Sequence, residues 1–409
     1  MAYPGSRFPM MAYDAARSEI VMCCGSQVLA ATGAQQNDTW TRGYLTGWTA
    51  KSPARSLPIR ALGAIGYDSD AQKVVVFGGN QNGVPIGDHE AWNGSTWIAV
   101  TPVASPTARH SAAMVYDPVR GRMVLFGGRA GGIIAAQTWT YNDGTNTWTN
   151  VSPGTQPAGR EYHTMVWDSV RERVVLFGGS TGTRQKDTWE WDGTAWVDRT
   201  PAAIWPSARY LHSACFDPVR GKMIVFGGND GVTLSDTWEW TGGTPTGSWA
   251  SATTPAALTA RSLASLAWDT AGARGVMFSG SNATTFFGDT WTLAGGVWTA
   301  GDPLGSGDAT APSVSGVTPA GGATLVPTST VQLDVTDAGG FRRVLLVAEL
   351  PTSQEVIHNG AAFTATYQES TRTAITNGWR YVVRRVGGWP RGSWTLRPYA
   401  IDTSGNENA

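Results

Sequence analysis

The sequence has little charge and few lysines. Asp, Glu, Lys and Arg make up 15% of the 409 residues, whereas about 25% is typical of globular proteins. The formal net charge is −1, so no basic field favours a nucleic acid and no acidic field favours a cationic partner. Only four of the 30 basic residues are lysines, an arginine-rich bias typical of bacterial or phage genomes with high GC content. We therefore expect no nucleic-acid partner.

The chain also lacks the features of disulfide-bonded, metal-binding and membrane-spanning proteins. Its three cysteines, Cys23, Cys24 and Cys215, are an odd number without the spacing of metal ligands, and we expect small, partly buried thiols. No stretch reaches the ~18 apolar residues of a membrane span. The N-terminus lacks the charged and apolar regions of a secretory signal. We expect no metal, no membrane insertion and no signal peptide in this chain.

What the sequence does contain is a sixfold repeat of 49 to 54 residues. Most units carry an Arg, an Asp eight residues later, Phe-Gly-Gly nine residues after that, then Asp-Thr-Trp and a closing Trp. The double-glycine motifs begin at Cys23, Phe77, Phe126, Phe177, Phe226 and Phe278, and the closing tryptophans are Trp48, Trp97, Trp148, Trp196, Trp249 and Trp298. Gln137-Thr138-Trp139 and Asp88-His89-Glu90 are weaker copies of Asp-Thr-Trp. A repeat of this kind predicts one structural unit per copy.

Each unit reads as four short strands. An apolar segment runs from the Arg to the Asp and ends in turn residues such as Asp117-Pro118-Val119-Arg120-Gly121. A buried strand follows and ends at the two glycines, and Asp187 to Val197 has the alternation and the Asp-Gly turn of a hairpin. Six four-stranded sheets predict an all-β, six-bladed β-propeller over residues 1–300.

The double glycine after an apolar strand and the spaced tryptophan partner resemble the kelch repeat. The resemblance covers about residues 6 to 300, with departures at Cys23-Cys24 in the first unit and at Glu90 in the second. It implies the propeller fold but says little about function, although kelch propellers inside cells often bind proteins. Loops between the second and third strands differ freely between units and should share one face with the segments before the first strands, an arrangement typical of recognition.

Residues 301–315 are a Gly/Ser/Pro-rich linker, and residues 316–409 alternate like half-buried strands. We predict an immunoglobulin-like β-sandwich there. Its end resembles the last hairpin turn of bacterial Ig-like modules, but the strand expected after Asn406 is missing. The stretch from Phe341 to Val347 resembles Ig-like modules of phage tail and particle proteins, so this domain is expected to contact other particle subunits.

The candidate binding residues lie at the starts of the innermost strands. A ring of planar arginine donors near the channel mouth could bind a carboxylate, a sulfate or an acidic sugar. Alternatively, each Arg hydrogen-bonds to carbonyl groups of the neighbouring blade and so holds the blades of the ring together. His110, Tyr162 and Tyr210 lie in the same segments, and Trp205 is a loop residue outside the repeat. The five arginines are Arg60, Arg109, Arg160, Arg209 and Arg261.

These observations favour a non-catalytic recognition or structural protein without a cofactor. We expect a surface or phage-tail component, extracellular or virion-associated, that binds a cell-surface glycan or protein through the loop face. Two enzymatic alternatives stay open. One is a sialic-acid mutarotase-like enzyme that uses the arginines with Glu161. The other is a copper oxidase similar to galactose oxidase, with Tyr162, His163, Cys215 and His358 as its site.

Overall fold

The structure, a computed structural model, describes Pro4 and residues 8–26, 35–43, 47–282 and 284–300 in full. Further along the chain it describes the backbone of nine strands between residues 313 and 402. The chain divides into two compact units, Met1–Gly301 and Asp302–Ala409. No helix in the described part of the chain is both long and apolar enough to cross a lipid bilayer.

The first unit consists of six antiparallel sheets of four strands each, with a small hairpin, β11–β12, added in the third sheet's loop. Each sheet is a blade formed by consecutive segments of the chain. The strands are β1 (Met10–Asp14), β2 (Glu19–Ser26), β3 (Gln35–Gly43), β4 (Trp48–Lys51), β5 (Ala64–Asp68), β6 (Lys73–Gln81), β7 (Val84–Trp92), β8 (Trp97–Val100), β9 (Ala113–Asp117), β10 (Arg122–Phe126), β11 (Arg129–Ala130), β12 (Ile133–Ile134), β13 (Thr138–Asn142), β14 (Thr147–Asn150), β15 (Thr164–Asp168), β16 (Arg173–Phe177), β17 (Thr188–Trp191), β18 (Trp196–Asp198), β19 (Ser213–Asp217), β20 (Lys222–Phe226), β21 (Thr237–Thr241), β22 (Ser248–Ala252), β23 (Ser265–Asp269), β24 (Arg274–Phe278), β25 (Thr290–Ala294) and β26 (Val297–Ala300). The predicted all-β propeller with six blades is confirmed.

The repeat residues explain why each blade folds as it does. Asp117 ends the first strand of blade three, and its Oδ1 accepts hydrogen bonds from the backbone N–H groups of Val119 and Arg120, both at 3.1 Å. This turn reverses the chain, so that the second strand of the blade, β10, runs antiparallel to the first, β9. At the opposite end of blade two, Gly78 has a φ of +65°, and a Cβ there would lie 2.4 Å from the Arg109 carbonyl oxygen of blade three. Glycine therefore permits two neighbouring blades to approach.

The ring closes by packing between the first and last blades. Met11, Ile20 and Met22 of blade one share a buried cluster with Val276 and Phe278 of blade six. The Ser265 hydroxyl also donates to the Pro9 carbonyl across this interface. Each blade keeps its own four strands, so closure needs no strand exchanged between the two ends of the ring.

Hydrogen bonds from the closing tryptophans join each blade to the one before it. Each indole N–H donates to a residue in the third strand of the preceding blade. The acceptor is a threonine in five blades and His89 in blade two. The bonds are Trp97–Thr39 (2.8 Å), Trp148–His89 (3.2 Å), Trp196–Thr138 (2.9 Å), Trp249–Thr188 (3.0 Å), Trp298–Thr237 (2.9 Å) and Trp48–Thr290 (3.1 Å). The last of them crosses the closing interface, so the set is circular.

The second unit is also built of strands. One sheet has the order β27–β29–β33–β32, a second has the order β31–β30–β35, and β28 pairs with β34. The strands are β27 (Ser313–Thr318), β28 (Thr324–Leu325), β29 (Val331–Thr336), β30 (Phe341–Leu350), β31 (Ser353–Asn359), β32 (Tyr367–Ile375), β33 (Gly378–Arg385), β34 (Gly392–Ser393) and β35 (Thr395–Asp402). The immunoglobulin-like sandwich stays a prediction, and the expected missing strand after Asn406 lies outside the described residues.

Candidate functional site

The segments before the first strands and the loops between the second and third strands lie side by side at one end of the propeller. Backbone bridges join His110 to Arg129, Glu161 to Ser180 and Tyr210 to Asn229. We call this end the loop face and the opposite end, which carries the Asp turns, the far face. The loops of the loop face in blades two to six are residues 80–87, 129–136, 180–186, 229–235 and 281–288 without residue 283.

The five arginines of the repeat lie buried beneath the loop face. The Nη1 and Nη2 atoms of Arg160 donate to the two carboxylate oxygens of Asp187 at 2.6 and 2.7 Å, and Nη1 also donates to the Gly178 carbonyl at 2.9 Å. Such bidentate pairs match the planar guanidinium to the carboxylate. The same arrangement joins Arg60 to Asp88, Arg209 to Asp236 and Arg261 to Asp289. In blade three, Arg109 has Gln137 Oε1 instead, at 2.9 Å.

The arginine partners belong to the same blade, so the expectation that these side chains bond carbonyls of the neighbouring blade is wrong. It is the backbone of the Arg that reaches the preceding blade, because the Arg160 carbonyl accepts a hydrogen bond from Gly128 N–H at 2.8 Å. The guanidinium groups are at most 1% exposed. A ligand-binding role for the five arginines stays a prediction, and it would require a guanidinium to give up one of these internal partners.

The carboxylate partners of the arginines have pKa values that reflect the ion pairs. Burial raises the pKa of Asp187, but the hydrogen bonds and charge of Arg160 outweigh it, and the net pKa lies below the ordinary value. The pKa values of Asp236 and Asp289 are lowered in the same way. Arg109 has no carboxylate partner, and burial lowers its pKa to about 10. Asp187, Asp236 and Asp289 are therefore the internal ion-pair partners of their arginines.

Three candidate contact residues lie in the segments that directly follow repeat arginines. His110 Nδ1 lies 2.8 Å from the Ser111 hydroxyl, and burial lowers the pKa of this half-buried histidine. The rings of Tyr162 and Tyr210 lie 6.0 Å apart with an interplanar angle of 50°. Burial raises the pKa of Tyr162. The structure thus brings the tyrosines of blades four and five together.

Two cations of the blade-four loop stack on aromatic rings of the segment before the first strand of blade five. Arg184 lies 5.6 Å from the centre of the Tyr210 ring, and Lys186 Nζ lies 3.9 Å from the centre of the Trp205 ring. Neither cation forms an ion pair with any residue in the described ranges. We call Tyr162, Trp205, Tyr210, Arg184 and Lys186 the aromatic–cation cluster. Sequence reasoning missed Arg184 and Lys186, although Lys186 is one of only four lysines.

Four of the loops on the loop face carry an exposed apolar side chain. Val84, Ile133, Val232 and Phe286 are 63%, 73%, 66% and 37% exposed, in blades two, three, five and six. The Phe286 ring also contacts Phe8 of blade one, with the ring centres 5.2 Å apart. Exposed apolar groups around a polar, aromatic centre are typical of surfaces that bind other molecules.

The channel at the axis opens among the innermost strands and has a volume of about 220 Å³. Its rim is a set of residues with left-handed backbone, each two residues after the repeat Arg, with φ values of 58° to 59°. Backbone bonds connect them from blade to blade, as in Ser111 N–H to Leu62 O at 2.8 Å and Tyr162 N–H to Ser111 O at 3.0 Å. The conformation is unusual for non-glycine residues, and these bonds hold it in place. The rim residues are Leu62, Ser111, Tyr162, Leu211 and Leu263.

The residues of the two enzymatic alternatives are found in several elements. Arg129 holds Glu161 through two hydrogen bonds, at 2.9 and 2.7 Å. Cys215 is a buried free thiol whose pKa is raised by burial. His163 lines the channel, whereas His358 is in β31 of the second unit. Within the described ranges, no group of three or more His, Cys, Asp or Glu side chains is placed to hold a metal ion.

The fold is a six-bladed β-propeller with a loop face of variable loops. Residues 31–197 match the family model of the KLHDC2/KLHL20/DRC7 Kelch-repeats domain. The match runs from blade one into the last strand of blade four. A comparison with curated proteins found no match. The kelch resemblance of the repeats is thereby confirmed, and a kelch propeller indicates a recognition or protein-interaction module.

Proposed function

We propose that this protein is a non-catalytic recognition module that binds a protein partner through its loop face. The aromatic–cation cluster is the observation that carries the proposal. Tyrosine, tryptophan and arginine are enriched at protein interfaces because they combine a large apolar area with hydrogen-bonding groups. Arg184 and Lys186 are held over rings, so they are ordered before a partner binds, which lowers the entropic cost of association.

The exposed valine, isoleucine and phenylalanine at the loop tips favour a protein over a glycan. Burial of apolar side chains removes their surface from water, and a protein partner offers apolar surface in return. Sugars stack on aromatic rings but offer mainly hydroxyl groups to the other loops. A glycan is therefore the second candidate ligand, supported by the half-buried rings of Tyr162 and Tyr210.

We further propose that the module works outside the cell, as a surface component or as part of a phage tail or related particle. The support is the association of the propeller with a second, strand-rich unit in the same chain. In that arrangement the propeller recognises the partner, and the second unit contacts other subunits of the particle.

The proposal is tested by selecting ligands for the intact chain from a displayed peptide library and, in parallel, from a glycan array. Val232→Ser on the loop face and Val219→Ser on the far face form a matched pair, with 66% and 73% exposure in the native protein. We expect Val232→Ser to weaken binding of a selected peptide by at least about tenfold, because about 1.4 kcal/mol of apolar contact is lost. Val219→Ser should leave the affinity within about twofold of the native value.

Tyr210→Ala probes the aromatic–cation cluster in the same assay and should weaken binding to a similar extent. Equal effects of the two valine substitutions would overturn the assignment to the loop face. Selection of glycans only, with loss of binding in Tyr210→Ala, would keep the loop face and replace the protein partner by a glycan.

A further inference from the structure

The loop of blade four carries two exposed cations, Arg184 and Lys186, that the scaffold does not neutralise. Their side-chain nitrogens form no ion pair and no hydrogen bond with any residue in the described ranges. Their contacts are aromatic rings, Tyr210 for Arg184 at 5.6 Å and Trp205 for Lys186 at 3.9 Å. A cation that stacks on a ring keeps its charge and its N–H donors. Both side chains are therefore held in place while their positive charge is available to a partner.

The acidic residues of this region leave the two charges uncompensated. Asp187 follows Lys186 directly in the chain, but its two carboxylate oxygens accept hydrogen bonds from Arg160 at 2.6 and 2.7 Å. The second-to-third-strand loops of blades four and five contain one acidic residue, Asp230. In the described structure it forms no ion pair with either cation. This region of the loop face is thus locally positive, although the whole chain has a net charge of −1.

Arg184 and Lys186 are two residues apart and face the same way. Both contact rings of the segment before the first strand of blade five. The side chain of Gln185, between them, turns back into its own loop, where its Nε2 donates to the Thr181 hydroxyl at 2.9 Å and to the Thr183 carbonyl at 3.0 Å. Side chains two residues apart in an extended segment share one side, at a spacing of about 6–7 Å along the chain. An extended partner segment with acidic residues at positions i and i+2 presents two carboxylates at that spacing.

We propose that the partner of the loop face carries an extended acidic segment whose carboxylates at positions i and i+2 pair with Arg184 and Lys186. This inference rests on the proposed function and specifies the chemistry of its partner. The guanidinium of Arg184 offers a fork of N–H donors to one carboxylate, and Lys186 offers a compact charge to the other. The rings of Tyr210 and Trp205 cover one side of each cation, so that less water competes for it than on an open surface.

The test compares the two loop-face cations with two cations of the far face. Arg184→Gln/Lys186→Gln and Arg122→Gln/Arg173→Gln each remove two positive charges, and Arg122 and Arg173 begin β10 and β16 at the opposite end of their blades. Peptides are selected from a displayed library on the native full chain. The affinity of the strongest binder for the native chain and the two double variants is then measured at about 50 mM and about 500 mM NaCl.

We expect the selected peptides to be enriched in Asp or Glu at two positions separated by one residue. At the lower salt concentration, Arg184→Gln/Lys186→Gln should bind the peptide at least about tenfold more weakly, and the far-face variant should stay within about twofold of the native affinity. Added salt should weaken binding to the native chain by screening, and it should weaken binding to the loop-face variant much less.

The peptide supplies the reciprocal change. Replacement of its two acidic residues by their amides should weaken binding to the native chain by about tenfold, and it should weaken binding to Arg184→Gln/Lys186→Gln by less than about twofold, because the pairs are already lost there.

The inference is overturned, with the proposed function intact, if the selected peptides bind more weakly to Val232→Ser but carry no acidic pair and bind Arg184→Gln/Lys186→Gln with unchanged affinity. Equal losses in the loop-face and far-face double variants also overturn it, because binding would then follow the net charge alone. If Val232→Ser weakens binding of none of the selected peptides, the proposed function fails, and the inference fails with it.

Discussion

The repeat arginines show how one buried side chain depends on its partner. Four of them face a carboxylate, and one, Arg109, faces the neutral amide of Gln137. A buried charge is stabilised more by a charged partner in good geometry than by a neutral one. The Arg109–Gln137 contact in blade three is therefore the one among the five that a carboxylate partner could strengthen.

Gln137→Asp should raise the free energy of unfolding by about 1 kcal/mol at pH 7, because Arg109 gains the bidentate partner seen in four other blades. The gain should shrink as the pH falls below about 4, through the lowered pKa expected of a carboxyl paired with Arg109, and it should be smaller at pH 3 than at pH 7. Gln137→Asn is the control of the same size without charge. Urea unfolding at the two pH values checks this, and an equal response of the two variants would contradict the account.

His89 makes the contact between blades two and three, and with it the stability of the propeller, dependent on pH. Its Nδ1 accepts the indole N–H of Trp148, and burial lowers its pKa to about 4 despite the opposing charges of Asp143 and Asp88. Because the unfolded chain takes up this proton at about pH 6.5, the native state is penalised as the pH falls from 6.5 to about 4. The stability contributed by neutral His89 is complete above pH 6.5 and is lost below it.

His89→Thr restores the residue found at this position in the other blades. We expect the stability lost between pH 7 and pH 4 to be smaller in this variant by about 3 kcal/mol. His110→Ser removes a half-buried histidine and should change the loss much less. Chemical unfolding across this pH range measures both differences, and an unchanged pH dependence in His89→Thr would show that the histidine is not buried as described.

Part of this residue-scale picture could be predicted from the sequence. The weaker motif Asp88-His89-Glu90 already marked blade two as different, and the Arg and Asp positions were visible as regular repeats. Their pairing was not predictable, because the two residues are 27 or 28 positions apart and meet only once three strands are in register. Arg184 and Lys186 were missed for the same reason, since each cation belongs to a different loop from the ring on which it stacks.

At the scale of the blade, the indole–threonine bonds fix neighbouring sheets to each other. Thr188 and Thr290 are both buried and accept from Trp249 and Trp48. The Trp249–Thr188 bond joins blades five and four, and the Trp48–Thr290 bond joins blades one and six, where the ring closes. An indole N–H left without its acceptor in such a place costs about 1–3 kcal/mol.

Thr188→Val and Thr290→Val should each lower the free energy of unfolding by about 1–3 kcal/mol, with similar values for the two, because the closing interface repeats the internal ones. Thr149→Val, at an exposed position of β14, is the control and should change it by less than about 0.5 kcal/mol. A destabilisation by Thr188→Val without one by Thr290→Val would mean that the ring is not closed through the Trp48 bond.

The strands themselves were the most predictable elements. Alternation, the Asp turns and the glycine pairs placed four strands in each unit, as the structure has them. The long loops were less predictable, because their conformations depend on contacts with the next blade. The hairpin β11–β12 and the left-handed channel rim carry no repeat-wide residue type in the sequence, since Leu, Ser and Tyr all occur at the rim.

At the scale of the molecule, the repeat number predicted the architecture, and closure followed from packing between blades one and six. The closing contacts described above join residues of Met1–Gly301. The function was less predictable, because a rigid propeller accepts many different loops without a change of fold. The account therefore depends on one claim, that the loop face is the surface through which the protein recognises its partner.

Hydrogen–deuterium exchange of the full chain, with and without a selected peptide ligand, tests this claim most directly. We expect binding to slow exchange in residues 129–136, 180–186 and 229–235, where the loops of blades three to five meet the aromatic–cation cluster. The Asp turns of the far face should exchange at unchanged rates. Protection confined to the far face or to Asp302–Ala409 would contradict the account.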